Sequence, residues 1–179
     1  MGQLTLSILE KFNKGSVFVE TGSMTGHTLR MVQGYGFTKV FGIELNEGLF
    51  NICKDNTKEL ENVTVYLGES PDILQMLCSN LNEHATFWLD AHVSGESMPG
   101  GKYGASPLLH ELDAINLSSC KEHVIIIDDI RLLDTAEWEY LKKQDVINKL
   151  YEINSNYNMV YVDGHDDGRF PDDILIAYI

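Results

Sequence analysis

Ser16 to Thr28 reads SVFVETGSMTGHT, and the reading of the whole chain works outward from it. Ser16 to Thr21 is short, β-branched and apolar, as a strand buried on both faces of a parallel sheet should be. Gly22 and Gly26 then interrupt the run, and helical spacing takes over from Thr25 to Gln33, with Gly34 and Gly36 ending that helix. Strand, glycine-bearing turn and helix in direct succession make the opening of a βαβ unit.

The alternation extends in both directions. Upstream, Leu4 to Phe12 reads as a helix that stops at Asn13, Lys14 and Gly15. Downstream come strands Lys39 to Leu45, Val63 to Leu67, Ala85 to Asp90 and Glu122 to Asp128. Between and after them lie helices Glu47 to Leu60, Pro71 to Leu81, Ser106 to Asn116 and Glu137 to Ile153, with Pro71 tolerated in a first turn. Two last strand-like runs, Asn158 to Val162 and Ile174 to Ile179, are joined by GHDDGRFPDD. That connection is too short for a helical crossover and forces an antiparallel pair. The expected fold is α/β: a Rossmann-like, doubly wound, mostly parallel seven-stranded sheet with a C-terminal antiparallel strand pair and one reversed strand at its end. No linker, repeat or low-complexity tract divides residues 1–179, so a single domain is expected.

Composition excludes several functions. A hydrophobic fraction of 44% and a charged fraction of 22% suit a folded domain, and no apolar run approaches the ~20 residues of a membrane span. The start, MGQLTLSILEKFNKG, lacks a basic n-region and a long apolar run, and Leu6 stands where myristoylation needs Ser or Thr. A cytoplasmic protein with no membrane partner is expected. Cys53, Cys78 and Cys120 are odd in number and without metal-ligand spacing, which suits reduced thiols. A net charge of -14 argues against nucleic acid as a partner, because phosphate sites are lined by Lys and Arg.

Four polar features fall at the carboxyl ends of successive strands, where open α/β sheets bind ligands. The first is the loop Glu20 to Thr28, whose glycines allow close approach of backbone to ligand ahead of a helix N-terminus; an ordinary strand-to-helix turn would read the same way. The second is Glu44, about 20 residues beyond the glycine turn, where an acid can accept both hydroxyls of a ribose. The third is Gly68-Glu69-Ser70, able to reach an adenine amino group and equally able to cap the next helix. The fourth is Asp90 with Asp128 and Asp129, on neighbouring strands. Three converging carboxylates need a neutralising cation or partner, and an all-oxygen set favours Mg²⁺, Mn²⁺ or Ca²⁺ over zinc; otherwise one aspartate caps a helix and another faces water. Asp90 to Ser106 is the longest irregular stretch, a length more often functional than idle.

From Val17 to about Ile130, and in the closing strand pair, these residues resemble the class I S-adenosylmethionine-dependent methyltransferases. Glu20 to Thr28 is similar to the E-x-G-x-x-x-G-x-S/T loop of the cation-dependent O-methyltransferases, the group of the catechol and macrolide-sugar enzymes, although Met24 departs from the glycine of other class I members. The resemblance implies S-adenosylmethionine as cofactor. Glu20 and Gly22, Ser23, Met24, Thr25 and Gly26 would surround its methionine part, Glu44 and Leu45 its ribose, and Glu69, Ser70 and Asp90 would complete the site. It also implies Mg²⁺ on Asp90, Asp128 and Asp129, orienting a small-molecule or sugar hydroxyl for methylation. Val93 stands where the catechol enzymes carry a lysine base, which leaves His92, or Asp90, as the catalytic group; a histidine merely lining the loop reads equally well. The segment from Phe87 to Ile115 also looks similar to bacterial and viral methyltransferase-like proteins without an assigned substrate. Val93 to Ala105 would be the lid or acceptor wall, and Arg131 and Arg169 would meet an anionic substrate or form surface salt bridges.

Other readings compete. Thr21-Gly22-x-x-x-Gly26 also resembles the nucleotide turn of short-chain dehydrogenases, but the only Tyr-x-x-x-Lys spacing, Tyr35 to Lys39, bridges a helix and a strand. A non-catalytic cofactor- or cation-binding module of the same fold would keep Glu20, Gly22 and Glu44 and tolerate loss of the aspartates, all three of which are present. So minimal a chain also invites a homodimer, in which a second copy completes the acceptor pocket.

Overall fold

The computed structural model describes residues 3–93, 100–165 and 169–179. Its strands are β1 (Val17–Thr21), β2 (Lys39–Glu44), β3 (Val63–Leu67), β4 (Ala85–Leu89), β5 (Val124–Ile127), β6 (Asn158–Val162) and β7 (Ile174–Tyr178). Its helices are α1 (Leu6–Phe12), α2 (His27–Val32), α3 (Glu47–Thr57), α4 (Ser70–Cys78), α5 (Leu108–Ile115) and α6 (Lys143–Ile153), with 3₁₀ turns at Gln33–Tyr35 and Ile130–Leu132. The strands form one sheet in the order β3-β2-β1-β4-β5-β7-β6. Every neighbouring pair from β3 across to β5 is parallel, and β7 runs antiparallel to both β5 and β6. The expected mixed α/β sheet and its antiparallel pair are therefore present. The reversed strand lies one place in from the edge rather than at it, because β7 slots between β5 and β6.

The buried residues divide by strand alternation. Val17 and Val19 of β1 face one layer with Phe87, Ile125, Ile127 and Leu175, where Leu74, Leu112 and Leu150 bring in α4, α5 and α6. Phe18 faces the opposite layer with Trp88, Ile126 and Ile176, against Leu9, Leu29 and Cys53 from α1, α2 and α3. Three helices on each face explain why β1, β4 and β5 are buried at every position and so read as unbroken apolar runs. Among the described residues no helix is long and apolar enough to cross a membrane.

The helix expected from Glu137 begins only at Lys143. Trp138 turns into the core at 3% exposure, and Glu139 and Tyr140 take left-handed backbone angles (φ 52° and 61°), with the Tyr140 N–H donating to the Thr135 carbonyl at 2.7 Å. Anchoring one large ring inward outweighs the helical spacing of that segment.

Candidate functional site

The carboxyl ends of β1, β2, β3 and β4 open onto a cleft of about 350 Å³. Its floor begins at the glycine turn. Gly22 has φ +74°, and a Cβ there would lie 2.4 Å from the Asp90 carbonyl oxygen, so only glycine lets the β1 loop pass beneath the end of β4. The Gly22 and Ser23 N–H groups both donate to the Ile43 carbonyl, and the Ser23 hydroxyl accepts from the Ile43 N–H at 3.1 Å, which fastens the turn to β2. Gly26 (φ +81°) precedes α2, where a Cβ would press on Cys53 Sγ at 2.9 Å.

Glu44 completes this corner. One carboxylate oxygen accepts from the Met24 N–H at 2.7 Å and the other from the Asn46 N–H at 2.8 Å, while Asn46 caps α3 through the Leu49 N–H. The acid thus holds the glycine turn and the α3 entry together, and it lines the cleft with Gly22, Met24 and Leu45. Each oxygen keeps lone-pair capacity for a further donor such as a ribose hydroxyl. Glu20 is buried behind the turn rather than in the cleft; its Oε2 has no partner among the described residues, and burial lifts its carboxyl to about 7 against the bonds it receives from Thr28 and Ser23. Thr25 is exposed, and its carbonyl accepts from Asn56.

Glu69 and Ser70 both line the cleft. Glu69 stands at the N-cap of α4 without bonding the helix, so the capping reading does not hold for its side chain. Instead its carboxylate accepts the Lys102 N–H at 2.8 Å. Lys102 Nζ and the Tyr103 hydroxyl both reach Asp72 (2.6 and 2.7 Å), and the Val93 N–H donates to the Ala105 carbonyl. Residues 100–105 therefore dock on α4 as a wall of the cleft. The rest of the lid expected over Val93 to Ala105, residues 94–99, lies outside the described residues.

Asp90 and His92 line the cleft as well, but the aspartates do not gather as expected. His92 stands between two carboxylates, Nδ1 3.4 Å from Asp90 and Nε2 2.7 Å from Asp129, and its ring lies 5.2 Å from that of Trp138. The other Asp129 oxygen accepts from Arg131 Nη1, which also bonds Asp173. Arg131 is thus engaged within the protein and not offered to an anionic substrate. Burial opposes ionisation of Asp129, but the His92 hydrogen bond and charge and the Arg131 guanidinium outweigh it and hold its carboxyl far below the ordinary range. Asp128 has neither carboxylate oxygen partnered among the described residues, and burial followed by the Asp129 charge raises it to about 7. Burial, then Asp128, Glu20 and Asp129, raises Asp90 well above its usual value.

This arrangement tests the expected Mg²⁺ site. Among the described residues, the groups of donors that come within 4.8 Å of one another are Asp90, His92, Asp129 and Asp128, Asp129, Asp173, not Asp90, Asp128, Asp129. Both groups use Asp129, whose oxygens already lie against His92 and the Arg131 guanidinium. As folded, Asp90, Asp128 and Asp129 do not form one donor set, and Asp129 is shared with His92 and Arg131. Both His92 nitrogens lie against carboxylates, those of Asp90 and Asp129.

Two residues absent from the sequence reading belong here. Glu111 on α5 is 1% exposed, near Ser70 and Thr21, and burial lifts it to about 7. Its signal was an acid inside the apolar stripe Leu108, Leu112, Ile115. Asp173 gave no local signal, since its partner Arg131 is 42 residues away. The dehydrogenase reading fails on position: Lys39 starts β2 at the end of the sheet opposite the cleft, paired with Glu83, and the Tyr35 hydroxyl donates to Glu10.

The strand order, with β7 alone reversed, is a Rossmann-like α/β fold. No family model matches the chain, and no curated protein matches it by sequence. Among solved structures, it is similar to a Streptococcus mutans protein assigned as a methyltransferase, in complex with SAH (TM-score 0.64, 14% identity, covering 97% of this chain and 94% of that one). It is also similar to an O-methyltransferase from Bacillus cereus in complex with SAH (0.61, 16%, 92% and 74%). A third similar structure is the precorrin 8w decarboxylase of Methanobacterium thermoautotrophicum (0.62, 21%, 100% and 92%). At these identities the likeness is one of fold.

Proposed function

We propose that the protein binds S-adenosylmethionine in the cleft and transfers its methyl group to a hydroxyl oxygen of a small molecule or sugar. The observation that carries this is Glu44: an acid at the end of β2, pinned to the glycine turn by the Met24 N–H and lining a cleft of about 350 Å³. Bound there, the cofactor would supply an electrophilic sulfonium methyl group. Glu44 would accept the ribose hydroxyls, Gly22 to Gly26 would follow the methionine part, and Glu69 and Ser70 would lie toward the adenine. Asp90, with its raised affinity for a proton and its place on the cleft, is the group to take the acceptor's hydroxyl proton, while His92 orients it. A magnesium-assisted form of the reaction would require Asp129 to release His92 and Arg131.

Calorimetric titration with S-adenosylmethionine and, separately, with NAD tests the proposal. The methionine cofactor should bind and NAD should not. Glu44→Ala should weaken binding roughly 100-fold, as expected for two hydrogen bonds to a charged acceptor at ~1.5 kcal/mol each. Absence of binding at millimolar cofactor would sink the proposal.

A further inference from the structure

We infer that Glu111 is a positioning residue of the cleft: from behind the wall it ties the start of α4 to the end of β1, and through them it sets where Ser70 and Asp90 stand. Glu111 lies in the first turn of α5, which begins directly after Pro107, a residue of the cleft lining. The Ser70 and Thr21 hydroxyls hydrogen-bond its carboxyl group. Ser70 opens α4 and lines the cleft. Thr21 ends β1, and its hydroxyl oxygen accepts the Asp90 N–H at 3.2 Å. One acid on a third element therefore connects the α4 side of the cleft to the β4 side.

The acid does no comparable work for its own helix. Pro107, at the N-cap of α5, makes no side-chain capping bond, and Leu108, Leu112 and Ile115 continue an apolar stripe on which Glu111 is the polar exception. Glu111 is itself 1% exposed, and its Oε1 has no partner among the described residues. Burying a carboxyl group with an oxygen left over costs free energy that an apolar residue of the same length would not. What the carboxyl group adds at that cost is the placing of two hydroxyls. This inference rests on the methyl-transfer reading, because a bound cofactor is what reports where the cleft residues stand.

Calorimetric titration of the full chain with S-adenosylmethionine, read beside urea midpoints at neutral pH, tests it. Glu111→Met keeps the length and removes the polar atoms. It should weaken binding on the order of tenfold, the worth of one good hydrogen bond, while the urea midpoint does not fall. Glu111→Gln should recover most of that loss, since an amide can accept from one hydroxyl and donate to the other. Thr21→Val should also weaken binding, although Thr21 is fully buried, and adding Glu111→Met to it should cost little more. Undiminished binding by Glu111→Met, an equal loss in the Met and Gln variants, or losses that simply add would each overturn the inference. So would a loss of affinity in Glu111→Met that comes with a lower urea midpoint, the mark of a purely structural role. Should Glu111→Met fail to fold, Thr21→Val decides, and native affinity there overturns the inference. Variants that bind like the native protein remove this inference alone, whereas a native protein that binds no cofactor removes the methyl-transfer reading and this inference with it.

Discussion

β2 and β5 end at the same edge of one sheet, each in a buried carboxylate, and they hold that charge by different means. Glu44 is held by backbone: the Met24 and Asn46 N–H groups, both within a few residues of a turn or helix start. Asp129 is held by side chains, His92 from the loop after β4 and Arg131 from the turn that Asp129 itself begins, and Arg131 is tied to Asp173 before β7. A backbone-held acid keeps its lone pairs toward the cleft and stays available to a ligand. A side-chain-held acid is spent on joining strands, and its neighbours Asp128 and Asp90 are left to take up protons.

The comparison breaks first at Arg131. Arg131→Met would leave Asp129 and Asp173 buried without their shared cation. It should cost about 3 kcal/mol in urea unfolding, the lower end for breaking a buried pair because the guanidinium is part-exposed. If the midpoint scarcely moves, the side-chain-held corner is not a structural clamp. Gly22→Ala tests the backbone-held corner. A left-handed φ plus contact with the Asp90 carbonyl should cost roughly 2 kcal/mol, and cofactor binding should weaken with it.

The pH dependence of stability sharpens the contrast. Glu20, Glu111 and Asp128 each have folded values near 7, above those of the unfolded chain. The folded state therefore holds more protons between about pH 4 and 7, and stability should fall as pH rises through that window and level off above it. Asp129 has the opposite sign: its contribution is present above its unfolded value and lost as pH falls. Glu111→Gln should remove at least about 1 kcal/mol of the loss between pH 5 and 8, measured by urea midpoints along the series. The smallest effect belongs to Lys102→Ala. Its pair with Asp72 is exposed, so the urea midpoint should stay where it is, while the Glu69 carboxylate keeps the Lys102 backbone N–H.

The same division governs what could be read in advance. β3 and β6 were delimited to the residue from apolar runs between turn signals, and Glu44 from its spacing to the glycine turn, because period, turn chemistry and strand ends are local properties. The aspartates at β4 and β5 were also found. Their mutual arrangement was not, since it depends on where His92 and Asp173 arrive in space. Trp138 shows the limit again: the helical spacing after Glu137 was real, and burial of one indole overrode it. Glu111 could have been noticed as an acid on an apolar helix face, whereas nothing near Asp173 announces its partner.

The position of β7 has a kinetic meaning. Ile126 and Ile176, paired across β5 and β7, are separated by 50 residues, and among the described residues β6 joins the sheet only through β7. A chain folding from its glycine turn can assemble β1, β2 and β3 from near neighbours, Val17 meeting Lys39 and Val40 meeting Val63, but β1 must find β4 at Ala85, and Arg131 must find Asp173 42 residues on. Such distant closures are slow relative to local ones. The Glu44 corner, closed over 20 residues to Met24, should therefore gain protection from hydrogen exchange early in refolding, and the aspartate corner last.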